Sequence, residues 1–182
     1  GTEGPVPVIS VTEDNLIDVV KRIKKSHPRV KTIYLTDDDF VINKLSVIRF
    51  CKKVIEEDFG DLSFMCFARS TDLTEEVCEW MAKAGFRRLN VGIDSFSEKV
   101  LEDMGKRCDV QDNHDALERL KRYGIQAFMN VIMITPGTTL DDLEMTVDNT
   151  ITYASDPFFH AGVTLAIKPL KGCLLYTSDA AD

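Results

Sequence analysis

Arg88–Gly105 reads RLNVGIDSFSEKVLEDMG. Its first part, RLNVGI (88–93), carries apolar and β-branched residues and suits a strand. Asp94 and Ser95 follow as a polar exit. SEKVLEDMG (97–105) then begins on a capping serine and ends on glycine, the grammar of a short helix. One strand, one polar loop and one helix make a βα unit.

The same unit recurs on both sides. Upstream, DNLIDVVKRIKK (14–25) has helix period through Leu16, Val19, Val20 and Ile23, with Thr12 or Asp14 as cap. Val30–Thr36 reads as strand. LSVIRFCKKVIEE (45–57) reads as helix through Leu45, Ile48, Val54 and Ile55, stopped by Gly60. LSFMCFA (62–68) is strand, and TEEVCEWMAKAG (74–85) is helix with Thr74 as cap. Downstream, 113–124 is helix, QAFMNVIMI (126–134) strand, 139–154 helix and GVTLAI (162–167) strand.

Five apolar strands separated by helices predict an α/β fold with a parallel sheet. No glycine-rich phosphate fingerprint follows the first strand, which favours an incomplete barrel over a doubly wound sheet. No linker divides the chain, so residues 1–172 are expected to form one domain. Residues 173–182, CLLYTSDAAD, break with the preceding pattern and resemble a translated sequencing adapter; they are expected to be an artefact tail. Without that tail the charge moves from -8 to -6, because Asp179 and Asp182 are removed from 30 acids against 22 bases.

The 182 residues suffice for one sizeable core. The acidic balance argues against non-specific nucleic-acid binding, and no apolar run reaches bilayer length. Cys51, Cys66, Cys78, Cys108 and Cys173 form no C-x-x-C pair, which predicts reduced thiols and a cytoplasmic setting. Packing is the expected role for the first three. His27, His114 and His160 are scattered and read as structural or surface residues.

Parallel barrels bind ligands at the C-terminal ends of their strands. Thr36, Asp37, Asp38 and Asp39 leave the first strand; Arg69, Ser70 and Asp72 the second; Asp94 and Ser95 the third. Lys106 and Arg107 follow one helix later, Asn130 lies on the fourth strand, and TPGTT (135–139) leaves it. Acids, cations and small polar groups on one rim suit a zwitterionic, hydroxyl-bearing ligand. The bland alternative is that these residues only cap the following helices.

The ordered set IYLTDDDF, FMCFARSTDLTEE, MAKAGFRRLNVGIDSFSEKVLEDMGKR and VIMITPGTTLDDL resembles the core of radical S-adenosylmethionine (SAM) enzymes, especially those fused to a cobalamin-binding domain. The likeness runs from about Thr12 to about Leu170. It implies a partial (β/α)6 barrel with SAM across the strand ends. Thr36, Asp37 and Asp38 fall where that family holds the methionine amino group. Asp94 and Ser95 fall near the ribose or methionine part, with Asp one methylene shorter than the family's Glu. Lys106 matches a basic residue for the methionine carboxylate, Asn130 a ribose-facing position and Pro136 a turn beside adenine. The same likeness places Arg69 among the cofactor-binding residues.

The family also implies a [4Fe–4S] cluster on C-x3-C-x2-C, a motif absent here. The chain is therefore expected to be an inactive fragment lacking the first strand and cluster loop. The parent would cleave SAM reductively to start radical chemistry on a small-molecule substrate, with cobalamin-dependent methyl transfer or cyclisation as options. The cobalamin-binding domain would lie in the same full-length chain. Two alternatives stand beside this: a cluster-less SAM- or nucleotide-binding barrel, and a lyase using the aspartates to hold Mg²⁺.

Overall fold

The computed structural model describes residues 11–166, so the expectations for residues 173–182 and Cys173 lie outside the described residues. Six helices and five strands alternate: α1 Glu13–Ser26, β1 Thr32–Leu35, α2 Lys44–Glu57, β2 Ser63–Arg69, α3 Glu75–Lys83, β3 Phe86–Asp94, α4 Glu98–Asp103, α5 Val110–Arg122, β4 Gln126–Ile134, α6 Leu140–Ala154 and β5 Phe159–Ala166. A single 3₁₀ turn, Ser70–Asp72, follows β2. None of the described helices is long and apolar enough to cross a membrane.

All four strand pairings are parallel, and the order is β1-β2-β3-β4-β5. A doubly wound sheet reverses its order at a switch point. Here there is no reversal, so right-handed crossovers put successive helices on one side. The sheet is the wall of a partial barrel.

The pleat sorts the side chains. On β2, Phe64, Cys66 and Ala68 are buried while Met65 and Phe67 are half-buried; on β4, Ala127, Met129 and Val131 alternate with Phe128 and Asn130. The buried set packs under the helices, with Leu73, Val77, Met81, Leu117 and Leu120. The half-buried set lines the concave face. The strands are thus fully apolar on one face only, which corrects the reading of them as apolar throughout. β3 keeps its phase through a bulge: Phe64 pairs with Phe86 but Met65 with Arg88, leaving Arg87 outside the ladder.

Helix boundaries follow capping chemistry. Thr12, Thr74, Ser97 and Thr139 each accept a hydrogen bond from the backbone N–H three residues on. α5 starts earlier than 113, because Asp109 and Asp112 form a reciprocal capping box. Two faces also differ from expectation. Ile17 and Val20 are the buried residues of α1. On α2, Leu45 and Ile55 are exposed, and Val47, Phe50 and Cys51 join Ile48 and Val54 inside. Phe40, Phe50, Phe64 and Phe86 form the largest aromatic cluster, with the Phe64 and Phe86 rings 5.4 Å apart.

Phe86 is fully buried at the centre of that cluster. Phe86→Ala is expected to cost about 3–5 kcal/mol of unfolding free energy. Urea unfolding followed by circular dichroism measures it, and a loss below about 1 kcal/mol would show that the cluster collapses around the gap.

Candidate cofactor-binding site

The C-terminal strand ends enclose a cleft of about 520 Å³. Asp38, Asp39, Arg69, Asp94, Lys106 and Asn130 supply most of its polar lining. These groups come from the ends of β1, β2 and β3, from the middle of β4 and from the loop after α4, five separate places in the chain.

Asp94 closes β3 where the ladder slips: Gly92 pairs with Asn130, yet Asp94 pairs with Val131. Its φ is 60°, in the left-handed region that aspartate tolerates better than most side chains. There its carboxylate meets Lys106, with Nζ 2.6 Å from Oδ2. Across the cleft, Arg69 stands between two acids, 2.6 Å from Asp39 and 2.8 Å from Asp72, and Lys44 pairs with Asp72 at 2.7 Å. The Arg69 Nε–H donates to Asp72 at 3.0 Å. Burial raises the Asp39 carboxyl above its usual pKa, and the Arg69 charge only partly opposes this. Burial likewise raises the Cys108 thiol, with the Asp94 charge adding to it.

The other expected residues sit elsewhere. Thr36 and Asp37 border a neighbouring, largely apolar hollow of about 280 Å³ with Leu16, Phe40 and Phe50; Asp39 borders both spaces. Asp37 accepts the Asp39 backbone N–H at 3.1 Å, closing an Asx turn. Ser95 is buried against α6, 3.0 Å from the Thr146 hydroxyl, and accepts the Ser97 N–H. Pro136 is exposed in the turn before α6. Thus Asp38, Arg69, Asp94, Lys106 and Asn130 converge, whereas Thr36, Asp37, Ser95 and Pro136 do not reach this cleft. Asp39, expected on the rim but not among the cofactor-binding residues, and Gly92, not singled out, also line the cleft. An acid one position further from the strand than its neighbours gave no separate signal.

The described cysteines do not gather. Cys51, Cys66 and Cys78 are buried on α2, β2 and α3, and burial pushes Cys51 and Cys78 up to about 12. Among the described residues no three His, Cys, Asp or Glu side chains are placed to hold a metal ion. These residues therefore fit neither an iron–sulfur cluster nor the Mg²⁺ of a lyase. Asp39, Asp72 and Asp94 are already matched to Arg69, Lys44 and Lys106.

The radical SAM superfamily model matches residues 2–149. The chain belongs to the radical SAM superfamily. An uncharacterised methyltransferase of Pyrococcus horikoshii is 30% identical over 118 residues, 65% of this chain and 26% of its own length. An anaerobic magnesium-protoporphyrin IX monomethyl ester cyclase of Rubrivivax gelatinosus is 26% identical over 133 residues, 72% of this chain and 24% of that protein. The radical SAM chain thus spans about a quarter of the length of these relatives. Among solved structures, the radical SAM methyltransferase TsrM of Kitasatospora setae superposes with TM-score 0.74 at 17% identity, over 84% of this chain and 30% of that one. The cobalamin-dependent radical SAM enzyme OxsB gives 0.68 at 20%, over 77% and 22%. These likenesses fix the fold as that of radical SAM barrels, in agreement with the partial barrel expected from the strand pattern.

Behind the cleft, Asp142 at the start of α6 accepts the Ser97 and Thr139 hydroxyls, each at 2.6 Å, and the Thr139 N–H at 2.9 Å. These bonds, with Ser97 first, lower its carboxyl to about 2 from 3.8. A depressed native pKa means that the unfolded chain takes up the proton first on acidification. The stabilisation is complete above the unfolded value and drains away as pH falls from about 3.8 to about 2. Denaturant titrations across that window should show a steeper loss for wild type than for Asp142→Asn; equal slopes would refute the assignment.

Proposed function

We propose that the strand-end cleft is where the full-length protein binds SAM. The observation that carries this reading is the opposed charge on one rim. Lys106 and Asp94 form one dipole, Asp38 lines the cleft with no ion pair among the described residues, and Asn130 offers its amide between β3 and β5. A zwitterionic amino acid joined to a sugar meets complementary groups there. In the proposed arrangement Lys106 takes the methionine carboxylate. Asp94, released from that pair, and Asp38 face the ammonium and sulfonium. Asn130 faces the ribose diol. Its side-chain N–H makes only a long contact, 3.5 Å to the Val91 carbonyl, so its oxygen and second N–H are available.

Thr36, Asp37, Ser95 and Pro136 act at one remove in this proposal. Thr36 and Asp37 shape the loop that delivers Asp38 and Asp39, while Ser95 anchors the β3 exit to α6. Arg69 holds the two acids that wall the cleft. SAM, when bound in this superfamily, supplies the reactive group for radical chemistry at a [4Fe–4S] cluster. Since the described residues do not fit that cluster, reductive cleavage is proposed for the full-length protein only. Cobalamin dependence, with a cobalamin-binding domain in the same full-length chain, is supported by the fold shared with OxsB and TsrM. Methyl transfer is supported by the named methyltransferase relative, and cyclisation by the cyclase. Residues 1–172 are proposed as the barrel unit, acting on a small-molecule substrate.

Calorimetric titration of SAM into this chain tests the binding reading. Saturable heat is expected, weakened about tenfold in Lys106→Ala by loss of one charge-assisted contact. 5′-Methylthioadenosine, which lacks the amino-acid part, should bind Lys106→Ala and wild type alike. Absence of heat with SAM at millimolar concentration would end the proposal.

A further inference from the structure

We infer that Arg88 and Gln126 hold a carboxylate of the substrate on the concave face of the sheet, below the strand-end cleft, and that the substrate is a carboxylic acid with a flat apolar body. This deepens the SAM-binding reading and rests on it. Position 88 faces the concave side only because β3 bulges. Phe86 is buried under the helices, and an unbroken pleat would turn residue 88 the same way. Leaving Arg87 outside the ladder reverses the phase. Arg88 then pairs with Met65 on one side and Gln126 on the other, and shares its face with Asn90 and Gly92. Bulges beside active sites re-aim side chains in this way.

The side chain so delivered is a cation whose charge is unanswered. Arg69 and Lys106 in the cleft above are matched by carboxylates. Half-buried Arg88 has no carboxylate partner among the described residues; its Nη2–H donates to the neutral Gln126 Oε1 at 3.0 Å. A guanidinium drawn partly out of water without a counter-charge costs free energy, and a chain with 30 acids against 22 bases had acids to spend. Gln126, having accepted that bond, keeps its amide N–H groups for a ligand. The Asn90 amide donates to the Tyr34 hydroxyl oxygen at 2.9 Å, which leaves the Tyr34 O–H to donate onward. A guanidinium fork flanked by neutral donors is answered by a carboxylate. A phosphate draws on a second cation or on free backbone N–H groups, and β3 commits its own to ladders on both sides.

The rungs above Arg88 describe the rest of the ligand. Phe67, Asn90 and Phe128 lie side by side on the next inward-facing level, and the Tyr34 ring stands 5.7 Å from Phe67. Aromatic faces there suit a flat apolar body. One level higher, Arg69, Gly92 and Asn130 belong to the cleft. Residues 88 and 92 are roughly 13 Å apart along the strand. An acid gripped at Arg88 therefore lays its body on Phe67 and Phe128 and brings its far end beneath the cofactor.

The test titrates 3-phenylpropionate, 3-phenylpropionamide, phenyl phosphate and SAM into wild type, Arg88→Met and Arg88→Lys by calorimetry, with thermal unfolding of each protein. Wild type should bind the acid about tenfold more tightly than the amide. Arg88→Met should lose that tenfold for the acid and nothing for the amide, and Arg88→Lys, which keeps the charge without the fork, should fall between. SAM affinity should be the same in all three, because Arg88 is not among the residues lining the cleft. Arg88→Met should melt at or above the wild-type temperature, since it removes an unanswered charge. Equal binding of the acid by wild type and Arg88→Met overturns the inference and leaves the cofactor reading intact, as does a wild type that binds no acid. Arg88→Met melting well below wild type makes the arginine a structural strut and also overturns it. Tighter binding of phenyl phosphate than of the acid overturns the carboxylate class. Absence of SAM heat in wild type removes the cofactor reading and the substrate assignment with it.

Discussion

Everything at the cleft depends on the two-faced pleat of a parallel sheet whose strands run in sequence order. Because β1 to β5 never reverse, the helices cover one side and the apolar side chains of β2, β3 and β4 must face them. Each residue between those buried ones is then turned to the concave side, whatever its chemistry. Arg69, Asn90, Gly92, Asp94, Phe128 and Asn130 all alternate with buried neighbours. A one-residue slip would bury these polar groups under the helices and expose Leu89, Val91 and Ile93. The hydrophobic register thus fixes the site before any ligand chemistry acts.

Two departures from the ladder refine that frame. The bulge at Arg87 allows Phe86 and Leu89, three residues apart, to share the helix-facing side. The slip at Asp94 does the reverse work at the other end. It leaves Ile93 outside the ladder and holds Asp94 in a left-handed conformation costing roughly 1–2 kcal/mol, and a nearby ammonium at 2.6 Å offsets the cost. Lys106 reaches that point because α4 is short and Gly105 turns the chain with a φ of 68°. The polar exit of β3, the shortness of α4 and the glycine behind it are one device.

Much of this was legible in the sequence. The strand–helix alternation, the capping residues Thr74 and Ser97, and the rim positions Asp38, Arg69, Asp94, Lys106 and Asn130 follow from period and order. The α2 face was misread because Leu45 and Ile55 are apolar yet lie outside the stripe that Val47, Phe50 and Cys51 occupy. Helix period alone cannot choose between two overlapping stripes. The start of α5 was missed because Asp109 reads as loop until its partner Asp112 is seen to answer it. Ser95 and Pro136 stand at strand exits, as cleft residues do, yet Ser95 faces α6 and Pro136 faces solvent. Exit position sets the level of a side chain but not its azimuth.

The three acids after β1 show the same limit and why it matters. Asp37, Asp38 and Asp39 are identical in type and adjacent, yet they do different things. Asp37 spends its carboxylate on the backbone of Asp39, Asp38 lines the cleft, and Asp39 turns inward towards Arg69. Three like charges in a row are tolerable because their carboxylates are dispersed: one caps a turn, one meets solvent and one meets a guanidinium. That guanidinium is shared with Asp72, which Lys44 also holds, so two cations serve two acids on this wall. Its local charge is balanced internally, and the net preference of the cleft is left to Asp38, Asp94, Lys106 and Arg107. A ligand bearing both signs can meet those four groups, whereas a simple anion or a bare cation would leave one sign unanswered.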